Sequence, residues 1–225
     1  MYNGVTVRRY PAAPPDRAQV LRYAGIRRED AGLRALVDEC LTLSAGAFEW
    51  AACRAVWPLR RTGELVDCGF AALRSRSLTG ALEDCEAVAA FAATVGFGID
   101  RLLQRYGHLS VARAAVLQAV GTAQIEQLCD VVCAEIAQEA AAQGLYARPR
   151  FSPGYGDVPL TLQTELFAAL DVPHRIGVTL TDSLLMAPSK SVTALVGLSR
   201  RPCRGPAGCA GCPDTECPFR EEKKS

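Results

Sequence analysis

Four cysteines lie close together near the end of the sequence, in the arrangement Cys203-x5-Cys209-x2-Cys212-x4-Cys217. Thiolates bind zinc and iron–sulfur clusters strongly, and four of them within 15 residues can reach one centre without help from a packed domain. The glycines between them permit the tight turns that such a centre requires. The segment therefore predicts a metal site, although its spacing leaves open an iron–sulfur cluster, a structural zinc knuckle or unliganded thiols.

The second segment that could do chemistry is RFSPGY, residues 150–155. Proline and glycine restrict its backbone, so that amides and carbonyls can be held towards a ligand. Arg150 offers a planar guanidinium that suits a carboxylate, and Tyr155 offers a ring face and a hydroxyl. From the residues alone, the segment is either a binding loop or a turn exposed to solvent.

Both segments depend on the elements around them. An apolar run over residues 87–96 predicts a strand that is buried on both faces. A long helix is predicted over residues 110–143, with Gly121 as the place where it bends or breaks. A strand over residues 191–199 comes just before the cysteine-rich segment. Helices and strands occur in blocks, which predicts an α+β fold with a largely antiparallel sheet.

Three other segments carry turn and capping signals. Residues 52–73 predict two strands joined near Thr62-Gly63. Ser77 is expected to cap a short helix that runs through Asp84. Residues 176–186 predict one further strand before residues 191–199.

Composition limits the function classes. The chain has 225 residues, of which 49% are hydrophobic and 22% charged, as in folded globular proteins. Its 25 basic and 24 acidic residues give a formal charge of +1, which argues against nucleic acid or an anionic membrane as the main partner. No apolar stretch has the length of a signal peptide or a membrane span, so we expect a cytoplasmic protein whose ten cysteines are thiols or metal ligands.

The loop and its surroundings resemble a known family. RFSPGYGD resembles the R-x-x-x-G-Y motif of the activation domain of cobalamin-dependent methionine synthase. The resemblance continues in order through SRSLTGALEDCEAVAAFAATVGFGIDRLL, QIEQLCDVVCAEI and LLMAPSKSVTALVGL, and the last of these is similar to the family's M-x-P-x-x-S-V-[ST] segment. It spans roughly residues 50 to 198. We therefore divide the chain into an N-terminal arm with helices (1–49), an activation-domain-like part (50–200) and a cysteine-rich tail (201–225).

The resemblance implies a fold and a ligand. The family fold is a twisted antiparallel sheet with helices, and its loop binds S-adenosylmethionine. By resemblance, Arg150 holds the carboxylate of this ligand. Ser152 and Gly154 contribute backbone contacts, and Tyr155 contacts the ligand with its side chain.

The resemblance also assigns an acidic residue on the long helix to the ligand's amino group. Asp130 is the best match, with Glu126 one turn earlier on the same face. The chain departs from the family where an aromatic pair follows the S-V-[ST] segment, because Val196 and Gly197 stand there. Part of the family's adenosine pocket is made at those positions.

The resemblance implies a function that needs no catalytic side chain. The chain is expected to support reductive methylation of cob(II)alamin on a separate corrinoid protein or on methionine synthase. That reaction requires an electron and a methyl group, so the cysteine-rich tail is interpreted as an iron–sulfur cluster fed by an electron donor, with zinc as the alternative. Two rival functions remain: an iron–sulfur electron carrier that transfers no methyl group, and a non-catalytic zinc-knuckle interaction module.

Overall fold

The computed structural model describes residues 4–202 of the chain. The strands are β1 (Thr6–Tyr10), β2 (Trp50–Pro58), β3 (Arg60–Thr62), β4 (Leu65–Asp67), β5 (Ala72–Arg74), β6 (Cys85–Thr94), β7 (Tyr146–Ala147), β8 (Thr179–Leu180), β9 (Met186–Ala187) and β10 (Ser191–Ser199). The helices are α1 (Arg17–Tyr23), α2 (Ala31–Leu43), α3 (Arg76–Ala81), α4 (Gly98–Gly107), α5 (Val111–Ala141), α6 (Leu162–Leu170) and α7 (Val172–Ile176).

A five-stranded sheet in the order β1-β2-β6-β10-β7 forms the centre of the fold, and all of its pairings are antiparallel. β6 lies in the middle, and every residue from Ala87 to Thr94 is buried. Its apolar run is continuous because both faces of the sheet are covered. The predicted α+β class, the antiparallel sheet and the doubly buried strand are all confirmed.

The two faces of this sheet carry different layers. One face packs against α5, which in turn contacts α1, α2 and α4. The other face packs against α3, α6, α7 and the small sheet β3-β4-β5. Because successive residues of a strand point to opposite faces, β6 and β10 supply side chains to both cores.

The long helix α5 runs unbroken for 31 residues. Ser110 caps its N-terminus by accepting a hydrogen bond from the Arg113 amide. Gly121 does not break it, so this part of the prediction is wrong. A Cβ atom at this position would lie 3.0 Å from Ile99 Cγ1 and 3.0 Å from Lys190 Cε. The glycine therefore serves close packing of α5 against its neighbours.

Three local expectations need correction. Residues 52–73 form β2 of the main sheet and a separate small sheet, in which Gly63 (φ +62°) turns the chain between β3 and β4. The cap of α3 is Ser75, whose hydroxyl accepts from the Leu78 amide, and the helix ends at Ala81. Residues 176–186 do not form one strand: they contain the last residue of α7, the short strand β8 and the first residue of β9.

The N-terminal arm joins the main sheet. β1 pairs along its length with β2, from Thr6 opposite Arg54 to Tyr10 opposite Trp50. Gln124, fully buried in the middle of α5, fixes the arm: its amide donates to the Ala13 carbonyl and its oxygen accepts from Trp50 Nε1, both at 2.9 Å. The division of the chain at residue 49 stays a prediction.

We expect Gln124→Leu to lower the free energy of unfolding by about 2–4 kcal/mol, because it leaves a buried indole N–H and a backbone carbonyl without partners. Urea denaturation measures the change. Gln118→Leu is the matched control, since Gln118 lies exposed on the same helix. Equal stability of the two variants would contradict the linking role of Gln124.

Candidate functional site

A pocket of about 690 Å³ opens beside the first half of β10. It lies within the size range of small-molecule sites in proteins. It collects side chains from α5, the loop after β7, α6, the turn before β9 and the start of β10. The lining residues are Glu126, Arg150, Phe151, Ser152, Pro153, Tyr155, Leu160, Gln163, Leu184, Leu185, Met186, Ser189, Ser191, Val192 and Thr193.

The loop that forms one wall is attached to β10 by a β-bridge at Phe151, which follows a bond from the Arg148 amide to the Gly197 carbonyl. Phe151 and Leu195 exchange both backbone hydrogen bonds, each 2.8 Å long. The residue before the bridge, Arg150, reaches across to α5 and forms an ion pair with Glu126. The residue after it, Ser152, lines the pocket. The bridge therefore fixes where the loop's functional side chains lie.

The far end of the loop is anchored on the N-terminus of α3. The Asp157 carboxylate accepts hydrogen bonds from the Ser75 hydroxyl (2.5 Å), the Arg76 amide (2.8 Å) and the Ser77 amide (3.1 Å). The bond from the Ser75 side chain, followed by those from the backbone amides, holds the pKa of Asp157 well below its ordinary value. The loop is thus held at both ends before any ligand binds.

Two glycines shape the loop between these anchors. Gly154 (φ +88°) donates its amide to the Val158 carbonyl at 3.1 Å, which closes a turn. Gly156 (φ +58°) passes so close to α3 that a Cβ atom would lie 2.2 Å from Ser77 Oγ. The positive φ angles and this contact require glycine.

Opposite charges meet at one end of the pocket. The side chains of Arg150 and Glu126 are 27% and 34% exposed. Burial opposes the charge on Arg150, but the neighbouring Cys129 sulfur and Glu126 carboxylate outweigh it and raise the pKa of Arg150. Tyr23 of α1 lies in the same electrostatic environment, since burial and then the charge of Glu126 raise its pKa. The guanidinium stays charged at all relevant pH values.

The sequence model of the activation domain of vitamin B12-dependent methionine synthase matches residues 79–201, more than half of the chain. The chain belongs to this family. The fold is similar to that of the MetH reactivation domain in a crystal structure with bound AdoHcy, with a TM-score of 0.61 at 15% sequence identity, over 86% of this chain and 78% of that one. The comparison with curated proteins found no match.

Four of the six residues predicted to bind the ligand meet at the pocket of this activation domain: Glu126, Arg150, Ser152 and Tyr155. Gly154 and Asp130 are not among the described residues that line the pocket. Gly154 supports the turn, and Asp130 lies one turn further along α5, exposed to solvent. Glu126, which contacts Arg150, is therefore the better placed of the two helical acids.

The positions of the missing aromatic pair lie away from the pocket. Val196 is buried in the core between the sheet and α5. Gly197 packs on the opposite face, where a Cβ atom would lie 2.5 Å from Cys85 Sγ and 2.8 Å from Leu82 Cδ2. The pocket is instead lined by β10 residues nearer its start, Ser191 to Thr193.

Gln163, a buried residue that lines the pocket, was not predicted from the sequence as a site residue. Gln163 is 3% exposed; its oxygen accepts from Thr193 Oγ1 at 3.1 Å and its amide donates to the Leu184 carbonyl at 3.1 Å. It thereby joins α6, β10 and the turn before β9. The available signal was a polar residue at helical spacing with the buried Leu166 and Leu170.

The predicted metal ligands Cys203, Cys209, Cys212 and Cys217 lie outside the described residues. Within residues 4–202, no three His, Cys, Asp or Glu side chains gather as metal ligands. In the same range, no helix combines the length and the apolar character needed to cross a bilayer.

The anchor at Asp157 predicts a pH dependence. Its pKa is depressed in the folded state, so its contribution to stability is full above the unfolded-state pKa of about 3.9 and is lost as the pH falls through the lower folded value. We expect Asp157→Asn to destabilise the protein at pH 7 and the difference from wild type to shrink below about pH 4. Urea midpoints at pH 7, 5 and 3 measure it.

Asp182→Asn, at an exposed position, is the control for a general effect of losing one acidic group. A difference between Asp157→Asn and wild type that stays constant across this pH range would contradict the anchoring role of the carboxylate.

Proposed function

We propose that this activation domain binds S-adenosylmethionine in the pocket beside β10. The observation that carries the proposal is the Arg150–Glu126 pair at the pocket wall. An α-amino acid bears a carboxylate and an ammonium side by side, and the two side chains present the complementary charges side by side. Arg150 then holds the carboxylate, as the family resemblance implies, and Glu126 holds the amino group.

The existing ion pair does not obstruct this binding. Arg150 carries five N–H donors, and only one of its nitrogens is used by Glu126. Glu126 likewise has acceptor capacity left. The ligand's carboxylate can therefore contact Arg150 while its ammonium contacts Glu126, with the ion pair still in place. Because both side chains are partly buried, each of these contacts is stronger than it would be in water.

The role of the bound molecule follows from the family. The chain would present the methyl group of S-adenosylmethionine to a corrinoid carried by another protein or by methionine synthase modules. The corrinoid, reduced by one electron from a separate donor, would take the methyl group, and S-adenosylhomocysteine would remain. No side chain has to move a proton in this transfer, so the chain acts by binding and orientation.

The rim of the pocket suits a large apolar partner group. Tyr155, Leu160 and Leu185 line it and are 69%, 39% and 64% exposed. Exposed apolar side chains grouped around a cavity are typical of binding surfaces.

A cytoplasmic location stays a prediction that fits this role.

We expect S-adenosylmethionine and S-adenosylhomocysteine to bind wild-type protein, and Arg150→Ala to weaken both by roughly 10- to 100-fold, the value of a charge-assisted hydrogen-bonded contact. Glu126→Gln should weaken binding less, because the amide still accepts a hydrogen bond. Isothermal titration calorimetry measures both effects.

Arg34→Ala is the matched control, because Arg34 lies exposed on α2. Circular dichroism must show that each variant is folded. Absence of heat with the wild type, or an affinity that Arg150→Ala leaves unchanged, would remove the proposed function.

The cysteine-rich tail is assigned to an iron–sulfur cluster as part of the same proposal. Four cysteines at this spacing favour a metal, and an electron is required for reductive methylation. The spacing matches neither common ferredoxin pattern, so zinc remains the alternative. The two rival functions differ in metal and ligand: an iron–sulfur electron carrier would contain iron but not bind S-adenosylmethionine, whereas an interaction module would contain zinc.

Anaerobic purification is expected to give a brown protein with iron, sulfide and visible absorption, and Cys209→Ser with Cys212→Ser should abolish the colour. Cys40→Ser is a suitable control, because Cys40 is buried in the core far along the sequence from the tail. A colourless protein that contains zinc would contradict the iron–sulfur assignment without affecting the pocket.

A further inference from the structure

A second wall of the pocket is formed by the segment that joins β8 to β9 and by the start of β9. The two strands pair antiparallel, so that residues 181–185 form a hairpin loop. Three successive residues of this segment line the pocket: Leu184, Leu185 and Met186. We call these three residues the apolar wall, because they face the same pocket as the charged Arg150.

Leu184 has a backbone conformation that is unfavourable for leucine. Its φ is +62°, in the left-handed region. The other described non-glycine residues with a positive φ are Asp84 and Asp171, and the short polar side chain of aspartate tolerates this region. A bulky side chain does not, and strain of this kind persists only where the surrounding structure enforces it.

The hairpin loop enforces part of this conformation by its own hydrogen bonds. The Thr181 amide donates to the Leu185 carbonyl, and the Thr181 carbonyl accepts from the Leu184 amide, both at 2.9 Å. The Thr181 hydroxyl accepts from the Leu185 amide at 3.1 Å. These bonds close the loop, but they do not fix it against the rest of the pocket.

Gln163 connects the loop to the body of the domain. Its side-chain amide donates to the Leu184 carbonyl and its oxygen accepts from the Thr193 hydroxyl, each at 3.1 Å. Gln163 is buried on α6, whose Leu166 and Leu170 belong to the core on that face of the sheet. Breaking the bond to Leu184 would leave a buried amide without this acceptor, which is unfavourable. The bond therefore opposes relaxation of Leu184 to a negative φ.

The segment after the apolar wall is held from the other side of the sheet. The Ser189 amide donates to the Asp100 carboxylate of α4, at 3.3 Å from each oxygen. The Lys190 ammonium donates to the Thr122 hydroxyl of α5 at 2.9 Å. The wall is thus attached to α4 and α5 beyond β9, and Gln163 attaches its beginning to α6.

We propose that Gln163 is a positioning residue for ligand binding. It holds Leu184 in the left-handed conformation, and this conformation keeps the apolar wall in place beside the bound molecule. A wall that is fixed before binding loses little free energy to ordering when the ligand arrives. The inference rests on the proposed function for the identity of the ligand, and it explains the strain at Leu184 by recognition.

A double-mutant cycle in the affinity for S-adenosylhomocysteine tests the proposal. Gln163→Leu is expected to weaken binding roughly 10-fold, because Leu184 relaxes and the wall moves. In a Leu184→Gly background the same change should weaken binding by less than about 3-fold, because glycine adopts a positive φ without strain. Isothermal titration calorimetry measures the four affinities.

Gln124→Leu is the matched control, since it also removes a buried glutamine with two hydrogen bonds. Gln124 is not among the described residues that line the pocket, so this variant should lose stability and keep its affinity. If Gln163→Leu does not fold, Gln163→Glu replaces it. Its carboxylate still accepts from Thr193 but, when ionised, cannot donate to Leu184, and the same loss of affinity is expected.

Urea denaturation tests the strain separately. Leu184→Gly is expected to unfold at a higher urea concentration than Leu184→Ala, because alanine keeps the unfavourable positive φ. Equal midpoints, or a lower midpoint for the glycine variant, would show that the left-handed conformation is not enforced and would overturn the inference.

The outcomes separate this inference from the proposed function. If the wild type binds S-adenosylhomocysteine, the inference alone is overturned by an unchanged affinity of Gln163→Leu, by equal losses in both backgrounds or by the same loss in Gln124→Leu. If the wild type gives no heat, the proposed function falls, and the role of Gln163 in binding falls with it.

Discussion

The geometry of the pocket depends on one pair of backbone hydrogen bonds, between Phe151 and Leu195. From Leu195 onwards β10 is paired with the loop and with β7, whereas its first residues, Ser191 to Thr193, line the pocket. The bridge also sets Arg150 on the α5 side, where Glu126 meets it. One contact thus determines where the charged end of the pocket lies relative to β10.

The Arg150–Glu126 ion pair depends on the two anchors that hold the loop. Removing an arginine and a glutamate from water is unfavourable unless their geometry is good, and an internal pair alone would be weak support for stability. Here the bridge at one end and Asp157 on α3 at the other fix the loop in advance. A ligand that completes the charge pattern then loses little free energy to ordering the loop. On the proposed function, the anchors therefore serve ligand recognition as well as folding.

The sequence was informative where function depends on local chemistry. The proline- and glycine-rich loop with Arg150 was predicted because its residue types restrict the backbone and offer a guanidinium. Gln163 was not predicted, because its burial and its bonds to Thr193 and Leu184 arise from contacts between segments distant in the chain. The misplaced cap has the same cause: Ser77 resembled a cap, but Asp157, 80 residues later, occupies its amide and Ser75 takes the capping position.

The direction of β10 constrains any electron route. The strand begins at the pocket and leaves it, so that Ser199, six residues after Thr193, lies roughly 20 Å away. There the Arg148 guanidinium contacts the Pro202 carbonyl at 3.4 Å, immediately before Cys203 in sequence. An extended chain gains at most about 3.6 Å per residue, so the segment from Cys203 to Cys217 is long enough to cover that distance. On the proposed iron–sulfur assignment, electron transfer to a corrinoid at the pocket therefore requires the cysteine segment to run back along the sheet.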